Sequence, residues 1–271
     1  MILQRYMDLS KFMYLLQKSS LFLPKMSLFD DHLEGGLTAI DYLSSSNDFA
    51  HLDIGMCSAG TSNIEKANEK VNQRLFETPF GEYKRNDLDK IFPRCREWLY
   101  VSCWHKSSHE CSAMWSIYGG VNNSVCILTT EDKLLNQIQK PKNVNKIKLE
   151  DVEYLDHKYG QLTGSDSLAP FLAKSLPFSF EKETRLIAYN TEIDLSRVNK
   201  NPDAGVEVSI ESLEQLIDKV VISPKADIWF SDSIKQLCNS NGLNIVEDST
   251  LRKKRFMGSL EAYAQLEENV L

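Results

Sequence analysis

The apolar run Trp98-Leu99-Tyr100-Val101 leads directly into Cys103-Trp104-His105, and this stretch most constrains what the chain can fold into. A short apolar run of this size reads as a buried strand, and a buried strand needs a sheet with cover on both faces. Polar groups at the end of such a strand are held by a rigid scaffold while staying within reach of a ligand. Cys103, His105, Glu110 and Met114-Trp115-Ser116-Ile117-Tyr118 follow one another within sixteen residues. A thiol, an imidazole, a carboxylate, two indoles and a phenol at that density mark a candidate site.

The rest of the chain mixes strand and helix signals. Residues 2–6 read as an opening strand, and Asp8 as the cap of a helix with Leu9, Phe12, Met13 and Leu16 on one face. Leu21-Phe22-Leu23-Pro24 reads as a strand ended by proline, followed by a polar loop over 29–35. Residues 57–94 show one helix among loops, through Ile64, Ala67, Val71 and Leu75. A strand over 98–103 precedes a helix near 110–118 that Gly119-Gly120 ends. Further strands are expected at 125–128, 146–154, 183–189 and 243–246. Further helices are expected at 131–138, 168–176 and 227–241, and residues 213–222 read as a helix running into a strand stopped by Pro224. The elements show no regular βαβ rhythm, so the class is α+β: a single domain over 1–256 with a helical tail over 257–271.

Charge and composition bound the function. The net charge of −7 argues against a surface built to coat nucleic-acid backbones. No apolar stretch approaches the roughly 20 residues of a membrane span, and Asp8 and Lys11 interrupt what could be a signal-peptide core, so the chain reads as cytoplasmic with no membrane partner. Cysteines at 57, 95, 103, 111, 126 and 238 show no framework spacing and read as reduced thiols.

Two clusters carry chemistry. Cys103-x-His105-x3-His109-x-Cys111 offers zinc-type ligands, but the spacing is poor for a tetrahedral site and no second ligand pair lies elsewhere, so no structural metal is expected. Cys103 and His105 alternate onto one face of a strand, where they can form a functional pair; a free Cys is also often simply a small buried hydrophobe. The second cluster is Lys174-x3-Phe178-x-Phe180-Glu181-Lys182-Glu183-Thr184-Arg185. If it is extended, Glu181 and Glu183 share a side with Arg185. Such a carboxylate pair can serve acid–base work, or form a solvated ion pair. Arg5 in the first strand can fork onto a carboxylate or phosphate, and Glu34-Gly35 suits a binding residue or a turn. Trp115 and Tyr118 at helical spacing suit a core or a ligand wall. Arg252-Lys253-Lys254-Arg255 suits contact with nucleic acid or, better in a chain of this net charge, a solvated basic turn.

In this order the clusters resemble the bacterial domain-of-unknown-function 2971 family, over about residues 2 to 252. The resemblance is carried by Arg5-Tyr6, Phe29-Asp30-Asp31-His32-Leu33-Glu34-Gly35, Cys103-Trp104-His105 with Glu110, Met114-Trp115-x2-Tyr118, Lys174, Phe178-x2-Glu181-x-Glu183-x-Arg185 and Ile222-Ser223-Pro224-x-Ala226. Asp30-Asp31-His32 departs from the family's Asn-Asp-Pro, and Cys111 replaces its usual Ser. The layout is also similar to the ADP-ribosyltransferase superfamily. That similarity implies a central, mostly antiparallel split sheet flanked by helices, and an enzyme that takes NAD as a substrate. It further implies a toxin or anti-phage defence effector acting on nucleic acid or protein, with a partner protein of such a system. Glu183, Glu181 and His105 would be catalytic, and Arg5, Tyr6, Cys103, Trp115, Tyr118 and Arg185 would bind NAD. Two other readings stand beside it: a nucleic-acid hydrolase using Glu181, Glu183 and His105 with a divalent ion, and a non-catalytic ligand-binding regulatory module.

Overall fold

The computed structural model describes residues 1–29, 34–38, 41, 61–120, 122–156, 160–163 and 166–252. The loop motif over Asp30–Leu33, the basic residues Lys253, Lys254 and Arg255 and the tail over 257–271 lie outside the described residues.

The first strand, β1 (Ile2–Asp8), sits at the middle of the main sheet rather than at its edge. Its far end becomes a helix because the Asp8 carboxylate accepts the Lys11 amide at 2.8 Å, satisfying one of the first-turn donors. Helix α1 (Leu9–Lys18) buries Phe12, Leu15 and Leu16 and ends at Ser19, whose left-handed backbone turns the chain back into β2 (Ser20–Pro24).

Seven strands form the main sheet. Besides β1 these are β5 (Tyr100–Lys106), β6 (Ser124–Thr130), β8 (Lys146–Asp151), β11 (Glu183–Tyr189), β13 (Lys219–Ile222) and β14 (Val246–Asp248). Their order is β14-β13-β6-β1-β5-β11-β8, and every pairing is antiparallel except β13 with β14. A three-stranded sheet places β12 (Gly205–Ile210) between β2 and β7 (Ile138–Gln139). Two further pairs are the hairpin β3 (Leu75–Thr78) with β4 (Gly81–Lys84), and the parallel β9 (Glu153–Leu155) with β10 (Ala173–Ser175).

The largest core lies between one face of the main sheet and a layer made of α1, the three-stranded sheet and the helix Ile228–Ser240; Leu3, Trp104, Ile127, Leu186 and Val220 face it. On the opposite face the helix Leu88–Trp98 covers β5 and β11 through Ile91, Phe92 and Cys95 against Val101 and Ile187. The short helix Ser112–Tyr118 covers β1, β6 and β13 through Met114 and Trp115 against Tyr6, Cys126 and Val221. The molecule is therefore a mixed α+β domain whose large, mostly antiparallel sheet is flanked by helices, and no described helix is long and apolar enough to cross a membrane.

Three local expectations are corrected. The strand begins at Tyr100, because Trp98 still belongs to the helix Leu88–Trp98, whose Leu88, Ile91, Phe92 and Cys95 recur at helical spacing on both sides of Pro93. Only Ala169–Leu172 is helical within 168–176; Ala173 onward pairs with Glu153–Leu155 as a strand. The last strand runs over Val246–Asp248, not 243–246, since Leu243 packs into the core below it.

Candidate functional site

β1 and β5 touch in the sheet at only two positions, Leu3 opposite Lys106 and Gln4 opposite His105. Each strand then continues with its other neighbour: β1 pairs with β6 along its whole length, and β5 with β11 over six residues. Between the diverging halves of β1 and β5 opens a cavity of about 840 Å³. Arg5, Tyr6, Cys103, His105, Tyr118, Glu181 and Glu183 all line it.

Register fixes which wall each of these occupies. Gln4, His105 and Glu183 lie in one row across β1, β5 and β11 and share a face. Arg5 and Trp104 belong to the next row and face the other way. Arg5 and Glu183 thus reach one cavity from opposite faces of the sheet, through the opening between the strands. The Arg5 guanidinium lies 5.6 Å from the centre of the Trp104 ring, and among the described residues no carboxylate pairs with it. Burial without a counter-charge lowers its pKa to about 10, so it stays cationic and is suited to an anion.

The carboxylate wall is a buried ion network. Lys174 Nζ lies 2.5 Å from Glu181, 3.1 Å from Glu183 and 3.2 Å from Glu34. Arg185 is fully buried; its Nε donates to Glu183 at 2.7 Å, one terminal nitrogen lies 2.9 Å from Glu34, and the other donates to the Phe171 carbonyl at 2.7 Å. Burial pushes the Glu183 carboxyl up, but Arg185 and then Lys174 outweigh it and hold the group down at about 2. For Lys174, burial acts downward, and the surrounding carboxylates, Glu183 first, reverse the direction and raise it. Glu34 ends above its ordinary value, because its burial outweighs the attraction of Arg185 and Lys174. Three carboxyl groups thus share two cations.

The backbone bends to build this wall. The segment before β11 is not extended, as the alternation of Glu181, Glu183 and Arg185 suggests, but a 3-10 turn, Leu176–Glu181. Lys182 then takes a left-handed conformation, φ 41° and ψ 53°, which for a residue with a Cβ costs about 1–2 kcal/mol. The bend brings the Glu181 carbonyl to 2.5 Å from His105 Nδ1, and since a carbonyl only accepts, Nδ1 carries the proton. Burial lowers the His105 pKa against the pull of that carbonyl, so the ring is neutral with an unprotonated Nε2. Tyr118 donates to Glu181 Oε1 at 2.8 Å, and the Tyr154 hydroxyl accepts the Glu183 amide at 2.8 Å. Glu34 is followed by Gly35, whose φ of +79° strains any residue with a side chain and whose built Cβ would sit tightly against Phe171 at 3.1 Å and Arg96 at 3.2 Å.

The expected site residues therefore divide. Arg5, Cys103, His105, Tyr118, Glu181 and Glu183 meet at the cavity. Cys103 sits deep in the fold yet open to the cavity; burial and then Glu183 raise its pKa, which keeps it a thiol rather than a thiolate. Tyr6 lines the wall, but its hydroxyl is committed to Gln4 at 2.7 Å and to the Cys111 amide at 3.0 Å. Arg185 does not face the cavity: it stands behind Glu183 and orients it. Trp115, expected to line the pocket, packs in the core at 4.8 Å from the Tyr6 ring, with its indole nitrogen donating to Glu110. Glu110 itself ties Ser249 and Thr250 to this helix, a structural duty. Sequence reasoning assigned no role to Lys174 and left Glu34 open between ligand and turn; their only signal was their place in the ordered motif.

Compared with known proteins, the chain matches no protein-family model, no curated protein and no solved structure.

Proposed function

We propose that this chain is an NAD-using glycosyl-transfer enzyme with an ADP-ribosyltransferase-like split-sheet fold, acting on a nucleic-acid or protein acceptor as a toxin or defence effector. The observation that carries this reading is that one cavity, in the gap between β1 and β5, holds Arg5, with no carboxylate partner among the described residues, and an ionised Glu183. The residues present suit such a substrate. Arg5 supplies a fixed cation for a pyrophosphate. Breaking the nicotinamide–ribose bond builds positive charge on the ribose, as in glycoside chemistry. Glu183, kept ionised by Arg185 and Lys174, offers a negative charge that needs no rearrangement as the reaction proceeds. Arg185 and Lys174 are positioning residues, and the neutral His105 offers Nε2 to a ribose hydroxyl or an acceptor proton.

The test is nicotinamide release from NAD by the wild-type chain, Glu183→Gln and Arg5→Ala, with thermal unfolding as a control for folding. Glu183→Gln is expected to lower turnover on the order of a hundredfold or more, and Arg5→Ala to raise KM most. Unchanged turnover in Glu183→Gln would overturn the assignment. A second reading, a non-catalytic nucleotide-binding module, is favoured by one observation: Arg185 and Lys174 occupy both oxygens of Glu183. Tight nucleotide binding with no turnover selects it.

A further inference from the structure

The cavity does not end at Arg5. It continues past the free edge of β2 to a rim where Tyr14 of α1 meets Phe22 of β2 and Glu207 of β12. Phe22 and Glu207 stand directly opposite each other in the β2–β12 register and so share a face, the one turned away from the main core that Leu21, Leu23, Val206 and Val208 occupy. Their exposure is therefore no failure of packing; they form a wall.

The wall is held in place. A Cβ built on Gly205 would lie 2.6 Å from the tip of the Phe22 ring and 2.3 Å from the Leu23 carbonyl, so the glycine is what lets the ring lie across β12. The Tyr14 hydroxyl donates to Glu207 Oε1. Burial and then that hydrogen bond raise the Tyr14 pKa to about 12, so it remains the donor and leaves Oε2 as acceptor. Among the described residues no cation pairs with Glu207. The same cavity thus presents a flat aromatic surface beside a carboxylate acceptor at its rim, and a cation without a carboxylate in its interior.

A ligand satisfying both ends has a planar group that donates hydrogen bonds and, further along, an anion. We propose that the Tyr14–Phe22–Glu207 rim is a subsite for the amino-bearing base of a purine nucleotide whose phosphate is held by Arg5. The base stacks on Phe22, and its exocyclic amino group donates to Glu207. The inference rests on the proposed function in taking Arg5 as the phosphate anchor, but it requires no catalysis.

Calorimetric titration of the full chain with AMP, IMP, inorganic phosphate and free arginine tests it. IMP keeps the purine and phosphate but lacks the amino group. AMP is expected to bind about tenfold more tightly than IMP, the value of one well-placed hydrogen bond to a charged acceptor. Glu207→Ala removes that preference, and Phe22→Ala weakens both nucleotides about tenfold. Both variants leave phosphate binding unchanged, which also shows that they are folded. Equal affinity for AMP and IMP in the wild-type chain, no nucleotide binding, or Glu207-dependent binding of arginine in place of AMP would each overturn the subsite. NAD turnover separates the two readings. AMP selectivity that depends on Glu207, without NAD turnover, sinks the transferase and leaves the subsite. NAD turnover with unchanged KM in Phe22→Ala and Glu207→Ala does the reverse.

Discussion

Replacing Lys174 by Met takes away the ammonium that lies within 3.2 Å of Glu34, Glu181 and Glu183 and puts an apolar chain of similar length in its place. Arg185 then remains against Glu34 and Glu183, and Glu181 loses its cation, while the three side chains are only 2–5 % exposed. Removing one partner of a buried ion pair costs about 3–5 kcal/mol, because the remaining charge has neither water nor a counter-ion. Against a typical domain stability of about 5–15 kcal/mol, the fold survives but is visibly weakened. The loss is also expected to depend on pH, with a definite sign. Glu34 already lies above its ordinary value in the wild type, and without Lys174 it loses one of the two cations that pull it down, so the folded variant takes up a proton more readily than the wild type does. That uptake returns part of the lost stability to the variant as pH falls from 7.5 to 5.5. Wild-type Glu183 works the other way: held at about 2, its contribution is present above the unfolded value and is lost as pH falls below it, outside this window. Urea unfolding of both proteins at the two pH values measures the effect. Lys174→Met/Glu181→Gln, which removes one of the stranded charges, should recover part of the loss. A deficit under about 1 kcal/mol at pH 7.5, or one identical at pH 5.5, would refute the view that Lys174 is the keystone of a desolvated network.

Two further outcomes follow from the same structure. His105 is held below its ordinary pKa by burial, so its contribution to stability is present above about pH 6.5 and declines as pH falls, since the unfolded chain then binds the proton first; an NMR titration that finds its midpoint above the ordinary value contradicts this. Asp8→Ala removes the cap on Lys11 and should cost about 1 kcal/mol in urea unfolding, whereas a neutral result would mean that packing of Phe12, Leu15 and Leu16 alone fixes where α1 starts.

Elements with local signatures were legible in the sequence. Asp8 followed by Leu9, Phe12 and Leu16 marks α1, and the unbroken apolar runs in β6 and β11 mark strands buried on both faces. The misses have physical causes. Pro93 and the charged residues around it disguise the helix Leu88–Trp98, although Leu88, Ile91, Phe92 and Cys95 carry its period. Strand β12, Val206-Glu207-Val208-Ser209-Ile210, alternates cleanly, but so short an alternation is a weak signal on its own. In the site, the joint presence of Arg5, His105 and Glu183 at one cavity could be anticipated from motif order. Their opposite faces could not, because that depends on the register of β1 against β5, a contact about a hundred residues apart in sequence. The partnership of Glu34 with Lys174 and Arg185 is likewise long-range, and nothing local encodes it.

The central place of β1 has a consequence for how the chain comes to be folded. A strand made from residues 2–8 finds its neighbours only in β5 and β6, the latter closing at Thr130. At a synthesis rate of about 5–20 residues per second, the ribosome holds β1 without a strand partner for on the order of 5–20 seconds, until β5 is complete at Lys106. Throughout that interval Leu3, Tyr6 and Met7, all of which finish buried, have no sheet to join. Translation thus withholds the middle of the sheet until β5 and β6 have emerged. The capped helix α1, which follows β1 directly, is the neighbour available to it earliest.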